Sequence, residues 1–420
     1  MALDILIAGG GIGGLTAALA LQARGHRVTV CEAAAQIRPL GVGINLLPHA
    51  VAVLDGLGLL PALRAMAVET SALLFANRHG QTIYRDARGL AGGYSHPQLS
   101  IHRGELQQLL WREAEARLGA TRLRTGARIT AAREDRDGVI AQLESPEGAR
   151  SERRADLLIA ADGIHSAIRR QFHPDEGAPR WNGMMMWRGT AWARPFLDGR
   201  SMVQAGHRRA KFVVYPIAPP RAADGLQLIN FICDRRLRED GIGGGLTAPD
   251  REDWSKPGSL DDLRPTFGAW RFEWLDVPGL IEGATQLLEW PMVDRDPLPR
   301  WRQGSRITLL GDAAHPMYPI GSNGATQAIL DAQALAPGGA DLAAALDAYE
   351  AERRPLCARI VEMNRQEGLD AILDMVEERA PDGFARLEDV IDPAEVDAFV
   401  KRYKAAAGHR QQPAPPAQAR

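Results

Sequence analysis

In the first third of the chain, short unbroken apolar runs alternate with longer stretches where apolar residues recur at helical spacing. Asp4 to Ala8 (DILIA) reads as a strand buried on both faces, and Leu15 to Arg24 as a helix closed by Gly25. Arg27 to Cys31 (RVTVC) is a β-branched second strand, completing a β-α-β unit of ordinary length. Leu46 to Leu60 and Gly104 to Leu118 read as helices, the second amphipathic and starting just after His102 and Arg103. Residues 122–143 read as strands and a hairpin that turns near Arg136-Asp137-Gly138. Ala155 to Ala160 (ADLLIA) is another buried strand, ending in Ala161-Asp162-Gly163.

From about Trp181 to Pro291 the period changes to two. Lys211 to Ile217 (KFVVYPI) and Gln227 to Cys233 (QLINFIC) predict antiparallel strands. Most of the tryptophans fall here (Trp181, Trp187, Trp192, Trp254, Trp270, Trp274 and Trp290), as sheet-face core with a few free to line an aromatic pocket. The glycine run Gly241 to Gly245 lacks a flanking strand and helix and reads as a flexible loop. A further apolar strand, Ile307 to Leu310, meets a Gly311-Asp312 turn, a proline- and glycine-rich loop and a helix from about Ala325. Asp341 to Met375 is largely helical, with a kink or break expected at Pro355. The fold class is α/β. A discontinuous Rossmann-like domain (1–180 and 285–375) interleaves with an antiparallel-sheet domain (181–284). A C-terminal helical extension (376–407) and a disordered, proline- and alanine-rich tail (408–420) complete the chain.

Composition narrows the function by exclusion. The chain of 420 residues is 45% hydrophobic and 24% charged, with a formal net charge of -2. That is ample for a large core and carries no electrostatic footprint for nucleic acid or a membrane surface. Cys31, Cys233 and Cys357 are odd in number and far apart, so neither a disulfide framework nor a metal cluster is expected. No apolar run reaches membrane-spanning length, and the N-terminal strand runs straight into glycines, so the expectation is a cytoplasmic protein without a signal peptide.

The chemistry begins at GGGIGG. Gly9, Gly11 and Gly14 fit G-x-G-x-x-G between a strand and a helix, where glycine permits a tight turn and close backbone approach to a pyrophosphate. Free amides and the helix dipole then face the negative charge. Glu32 ends the second strand, where an acid binds ribose hydroxyls and disfavours a 2′-phosphate. Asp312 also stands at a strand end and can accept hydrogen bonds from a polyol such as a ribityl chain. The helix starting near Gly324-Ala325-Thr326 aims amides at whatever lies in front, a favourable place for a flavin ring that turns anionic on reduction. Two such loops some 300 residues apart point to one large cofactor held at both ends, FAD. Asp162-Gly163 alone reads as a turn, and Arg103 is a candidate for a phosphate or ring edge.

GGGIGG with Glu32, ADGIHSAIR (161–169) and GDAAHPMYPIGSNGATQAILD (311–331) together resemble the single-component FAD-dependent aromatic hydroxylases, the family of the para-hydroxybenzoate and salicylate hydroxylases. The resemblance runs from about residue 3 to 375. IRPLGVGIN (37–45), SIHRGEL (100–106), MWRG (186–189) and PMVDRDPLPRW (291–301) are similar to the phenazine-carboxylate monooxygenases of that family, which work in secondary metabolism. The resemblance implies that Gly11, Gly13 and Gly14 hold the FAD pyrophosphate and Glu32 the adenosine ribose. It implies that Arg103 and the Ala127 backbone contact the cofactor, Gly43 passes close to the flavin ring, and Asp162-Gly163 serves FAD and NAD(P)H. Asp312 would bind the ribityl or pyrophosphate region, and Pro319 and the 321–326 loop, with Gly324 and Ala325, would approach the ring. Thr326 stands where many relatives carry asparagine.

The implied reaction takes NADH or NADPH as transient reductant and oxygen as co-substrate, and delivers a hydroxyl to an electron-rich aromatic carbon. The expected partner is a small aromatic substrate, phenazine-type or salicylate-like, on a monomer or homodimer, with no nucleic acid and no membrane. No nucleophile or metal is required. His102, His207, His315, Tyr215 and Tyr318 qualify by type as a general base, none is assigned, and His315 reads as structural or cofactor-side. Met185, Trp187, Arg188, Tyr215 and Pro319 are pocket candidates, and Arg188 or Arg208 could orient a carboxylate for decarboxylative hydroxylation. Rival readings are a flavin-dependent oxidase or halogenase, although WxWxIP is absent, and a non-catalytic flavin-binding module.

Overall fold

The computed structural model describes residues 2–39, 41–241, 245–249, 255–335, 341–366 and 370–406. The expected tail (408–420), Trp254 and part of the Gly241 to Gly245 run lie outside these. A six-stranded sheet carries the order Arg302–Gln303, Ile307–Leu309, Leu157–Ala160, Asp4–Ala8, Arg27–Cys31, Leu123–Arg124. Its pairings are parallel except at the Arg302–Gln303 edge. These strands are apolar on both faces because helices, Ile12–Ala23 among them, and the three-stranded antiparallel sheet Arg128–Glu134, Val139–Glu144, Arg150–Ala155 share their core.

Register explains why distant motifs meet. Ala8 pairs with both Cys31 and Ala160, and Ala160 pairs with Leu309. All four strands therefore end level. The residues just beyond them (Gly9, Glu32, Ala161-Asp162-Gly163, Leu310-Gly311-Asp312) emerge at one carboxyl edge. Open α/β sheets place their ligands at that edge.

The second sheet runs Leu246–Thr247, Arg180–Ala193, Gln227–Arg236, Ala210–Pro216, Ser201–His207, Ala72–Ala76, Thr82–Ala87, with Gln286–Asp294 also paired to Arg180–Ala193. Period-two alternation sorts its residues cleanly. Met185, Trp187, Phe212, Val214, Phe231 and Cys233 pack into one core on the far face. Met186, Arg188, Lys211, Val213, Tyr215, Ile232 and Asp234 look the other way, toward the first sheet's carboxyl edge. The C-terminal helices Ala371–Arg379 and Pro393–Ala406 cover the rest of that inner face, burying Ile372, Leu373 and Val376 against Phe75, Val213 and Ile217.

Several expectations are corrected. Leu46 to Leu60 is not one helix: Gly43–Leu46 is a strand paired with Leu99 to His102, and helices Pro48–Gly56 and Leu60–Met66 come after it. The break comes at Leu57-Gly58, where Gly58 takes a left-handed φ of 79°. The 181–284 sheet domain also recruits the hairpin 72–87, through a parallel pairing of Ala72–Ala76 with Ser201–Ala205 that no local pattern announces. A boundary at 375/376 would cut the helix Ala371–Arg379. Helix Leu342–Asn364 continues through Pro355, because the single lost hydrogen bond is outweighed by the buried face of Leu346, Tyr349, Arg353 and Cys357. The helix expected from Ala325 starts at Asn323.

Candidate active site

Gly9 adopts φ 103°, and a Cβ there would stand 2.3 Å from the Ala161 carbonyl oxygen. A Cβ on Gly14 would meet the Gly9 oxygen at 2.2 Å, so helix Ile12–Ala23 can pack this close only because both are glycine. Gly11 differs: nothing lies within 4 Å of its would-be Cβ. It caps the helix without a side-chain hydrogen bond, leaving amides directed at open space. Glu32 braces this loop, accepting from the Gly10 and Ala34 amides at 2.7 Å each.

Two cavities meet in front of the loop. The larger, about 1340 Å³, passes Gly9, Glu32, Arg38 and Asp162. The other, about 350 Å³, runs from Gly11 and Gly13 past Asp312 and Pro319 to the inner face of the second sheet. Gly11, Arg103, Ala161, Gly163 and Arg188 border both, so one continuous path leads from the first glycine loop to the second. Helix Asn323–Ala334 directs its N-terminus into this path, with Gly324 and Ala325 lining it. Ser322 precedes it in a left-handed conformation (φ 60°), one of the two non-glycine residues with positive φ among the described residues.

Charge is concentrated here. Asp312 opens onto the cavity yet is enclosed by protein, and burial pushes its carboxyl up while His315 and Arg103 pull it back. Burial pushes the Arg103 guanidinium down, helped by the like charge of Arg188 and opposed by Asp312 and Glu32. Asp162 accepts from the Ala167 amide at 2.8 Å, at the start of helix Ala167–Phe172, which Ser166 caps. Its second oxygen has no partner, and burial pushes the carboxyl up. Gly43 is fixed by the second sheet: its amide donates to Asn230 Oδ1 (2.6 Å), and its carbonyl accepts from Arg188 Nη2 (3.1 Å) and Tyr215 Oη (2.9 Å). A Cβ on it would collide with Ile217 at 2.6 Å. The Ala127 amide is spent on the Glu32 carbonyl (2.8 Å), and Ala127 borders neither cavity.

Cross-strand register lays out the inner sheet face in rows: Met186, Asp234, Lys211; then Arg188, Ile232, Val213, Gln204; then Asn230, Tyr215, Met202, Leu73. Its centre is apolar and its margins polar. Trp187 and Met185 are corrected as pocket residues, since alternation turns both into the core on the opposite face. Arg208 sits on the hairpin turn, its amide bonded to Asp374, and does not line the path to Gly11.

The nominated bases are engaged elsewhere. His102 Nδ1 accepts from the Glu105 amide (3.4 Å) as a helix cap, and His207 faces Glu377. His315 is buried with its Nε2 2.6 Å from Asp331 Oδ2, and Asp331 also receives the Gly311 amide (3.0 Å) and Arg353 Nε (2.8 Å). Tyr318 is the exception: it is buried among Met184, Met186, Trp290 and Met292 with its hydroxyl unpartnered. Burial pushes Tyr215 up to about 12. Sequence reasoning missed Lys211, Asp234, Gln204 and Asp370 as cavity residues. The available signal was parity: Lys211 shares a face with Tyr215 in KFVVYPI.

A family model described as an FAD binding domain matches residues 2–237 and 278–364. The chain belongs to that family.

Its relatives fix the reaction class. It is 48% identical over 369 residues (86% of this chain, 89% of the other) to a phenazine 1,6-dicarboxylic acid hydroxylase, PhzS, of Lysobacter antibioticus. It is 31% identical over 374 residues to the 3-hydroxybenzoate 6-hydroxylase of Klebsiella oxytoca, covering 86% of this chain and 87% of that one. Among solved structures, Klebsiella pneumoniae HpxO complexed with FAD and uric acid superposes with a TM-score of 0.74 at 26% identity, covering 96% of each chain. The protein is an FAD-dependent aromatic monooxygenase which, as hydroxylases of this kind do, uses NAD(P)H and oxygen. Its residues fit the cofactor: an open glycine cradle and an uncapped helix start at one end, and a second helix N-terminus at the other. Among the described residues no helix is long and apolar enough to cross a membrane.

Proposed function

We propose that this monooxygenase hydroxylates a planar N-heteroaromatic carboxylic acid of the phenazine-carboxylate class, lying flat on the inner face of the second sheet. The observation that carries the reading is that face itself. Leu73, Met202, Val213, Ile232 and Met186 form an apolar bed along the cavity, bordered by the buried guanidinium of Arg188. A fused aromatic ring suits the bed, and a carboxylate suits the arginine. The likeness to the phenazine 1,6-dicarboxylic acid hydroxylase supports the same class.

Gly9, Gly11, Gly13 and Gly14 would hold the FAD pyrophosphate, Glu32 the adenosine ribose, and Asp312 the ribityl chain. Arg103 and Asp162 would border the middle of the cofactor, and Gly43, Pro319, Gly324 and Ala325 would approach the ring. Bound FAD supplies oxygen activation once reduced. The chain's part is placement and exclusion of water. The helix Asn323–Ala334, whose start lines the cavity, would offer its positive end to the ring, and the sheet would close the opposite side. No histidine lines the inner cavity among the described residues, and Tyr215 donates its proton to Gly43.

The test is product identification. Holoenzyme with NADH or NADPH in oxygenated buffer is offered phenazine-1-carboxylate, phenazine-1,6-dicarboxylate and 3-hydroxybenzoate. Conversion of the phenazine acids is expected; conversion of 3-hydroxybenzoate alone would overturn the substrate class. Arg188→Ala should raise KM for the acids more than it lowers kcat.

A further inference from the structure

Lys211, Asp234 and Asp370 form a buried cluster on the wall of the substrate cavity. Lys211 Nζ lies 2.5 Å from Asp370 Oδ2 and 3.5 Å from Asp234 Oδ2. Lys211 is 7% exposed and Asp234 3%. Two carboxylates share one ammonium, and the Asp234 Oδ1 oxygen accepts no hydrogen bond. Lys211 keeps Asp234 from becoming an isolated buried charge but cannot reach its second oxygen. An ionised carboxylate has acceptors only, so only a donor can satisfy what is left over. Nothing in the fold needs that donor to be protein. Asp370 arrives from beyond residue 364, where the family match ends, so this wall is completed by a segment outside the shared domain.

The geometry points to Asp234 as a specificity-determining residue that accepts a hydrogen bond from a ring hydroxyl, amine or N–H of the aromatic substrate, with Lys211 and Asp370 as its positioning residues. The inference rests on the reading of the inner sheet face as the substrate bed. Arg188 and Asp234 occupy diagonal positions on neighbouring strands, Arg188 opposite Ile232 and Asp234 opposite Met186. The bed thus offers a donor and an acceptor side by side, and a ring carrying an acid near a hydrogen-bond donor meets both. A ring without the donor leaves a buried charged oxygen unpaired and binds more weakly than the same ring carrying one, while an acid still gains Arg188.

The experiment titrates holoenzyme with phenazine and with 1-hydroxyphenazine, monitoring the flavin absorbance, and takes the ratio of the two Kd values. Wild type should favour the hydroxylated ring by about tenfold or more, the usual worth of a hydrogen bond to a charged group. Asp234→Ala should bring the ratio to about one with the flavin spectrum intact. Asp234→Asn, which keeps an acceptor without the charge, should restore part of it. A ratio near one in wild type, or an unchanged ratio in Asp234→Ala, overturns the inference. If Asp234→Ala does not hold FAD, the wild-type ratio and its change in Asp234→Asn decide. Phenazine-1-carboxylate is titrated in parallel: its failure to bind wild type counts against the substrate class, whereas its binding beside a flat ratio counts against Asp234 alone.

Discussion

Asp312 and His315 are three residues apart and do opposite things. Asp312 looks into the path between the two glycine loops, while His315 turns inward to Asp331 beneath the same turn. Replacing Asp312 by Ala should raise the FAD Kd about tenfold or more, in line with what a charge-assisted hydrogen bond contributes, measured by flavin fluorescence on adding FAD to apoprotein. An unchanged Kd would remove Asp312 from the cradle. His315 makes a different prediction. Burial alone would push its imidazole down, but Cys357 and Asp331 outweigh burial and hold it well above its ordinary value. A raised histidine contributes stability that is complete below its unfolded value of about 6.5 and lost as pH rises through the folded value. The stability gap between wild type and His315→Gln in urea should therefore be widest near about pH 6 and shrink in alkali; a gap that grows with pH contradicts the ion pair. The meeting of the glycines, Glu32 and Asp312 at one carboxyl edge is legible in sequence because each stands just beyond a buried strand. Lys211 and Asp234 are not, since a charge inside an alternating strand reads as the solvent side until a partner such as Asp370, far along the chain, is seen opposite.

Elements are legible where one face, or both, settles the pattern. DILIA, RVTVC and LLIA are continuous apolar strands because both faces are covered. Leu46 reads as helical because its strand, Gly43–Leu46, is four residues long and takes its identity from a partner at Leu99. The parity of Trp187 and Arg188 in MWRG is visible in sequence, but which parity faces the flavin side depends on where helices and sheet edges close. Helix Leu342–Asn364 carries Pro355 in its interior. Pro355→Ala should restore a backbone hydrogen bond and stabilise the protein by about 1–3 kcal/mol, read from urea denaturation, with the FAD Kd unchanged. Loss of stability would mean that the ring's packing outweighs the missing bond.

At the scale of the molecule, two sheets face each other across one path. The first presents strand ends and helix N-termini, which suit the anionic, polyol parts of FAD; the second presents an inner face with an apolar centre, which suits an aromatic ring. The helices from 371 onward seal that face, and Leu373 is fully buried among them. Leu373→Ala should cost about 2–5 kcal/mol and lower the thermal midpoint, while the spectrum of bound FAD, proposed to lie at the other sheet, keeps its wild-type shape. The broad architecture is readable from the order of the motifs. The contribution of hairpin 72–87 and of the C-terminal helices is not, because both reach the second sheet through pairings far apart in sequence.

FAD held along this path should hydroxylate an aromatic acid lying on the sheet. The decisive measurement is a single-turnover reaction of NADH-reduced holoenzyme with phenazine-1-carboxylate under isotopically labelled dioxygen, analysed by mass spectrometry. One labelled oxygen atom is expected in the ring-hydroxylated product, together with a yellow, reoxidised enzyme. Reoxidation that yields only labelled hydrogen peroxide and unchanged acid, or a hydroxyl derived from water, would contradict this assignment.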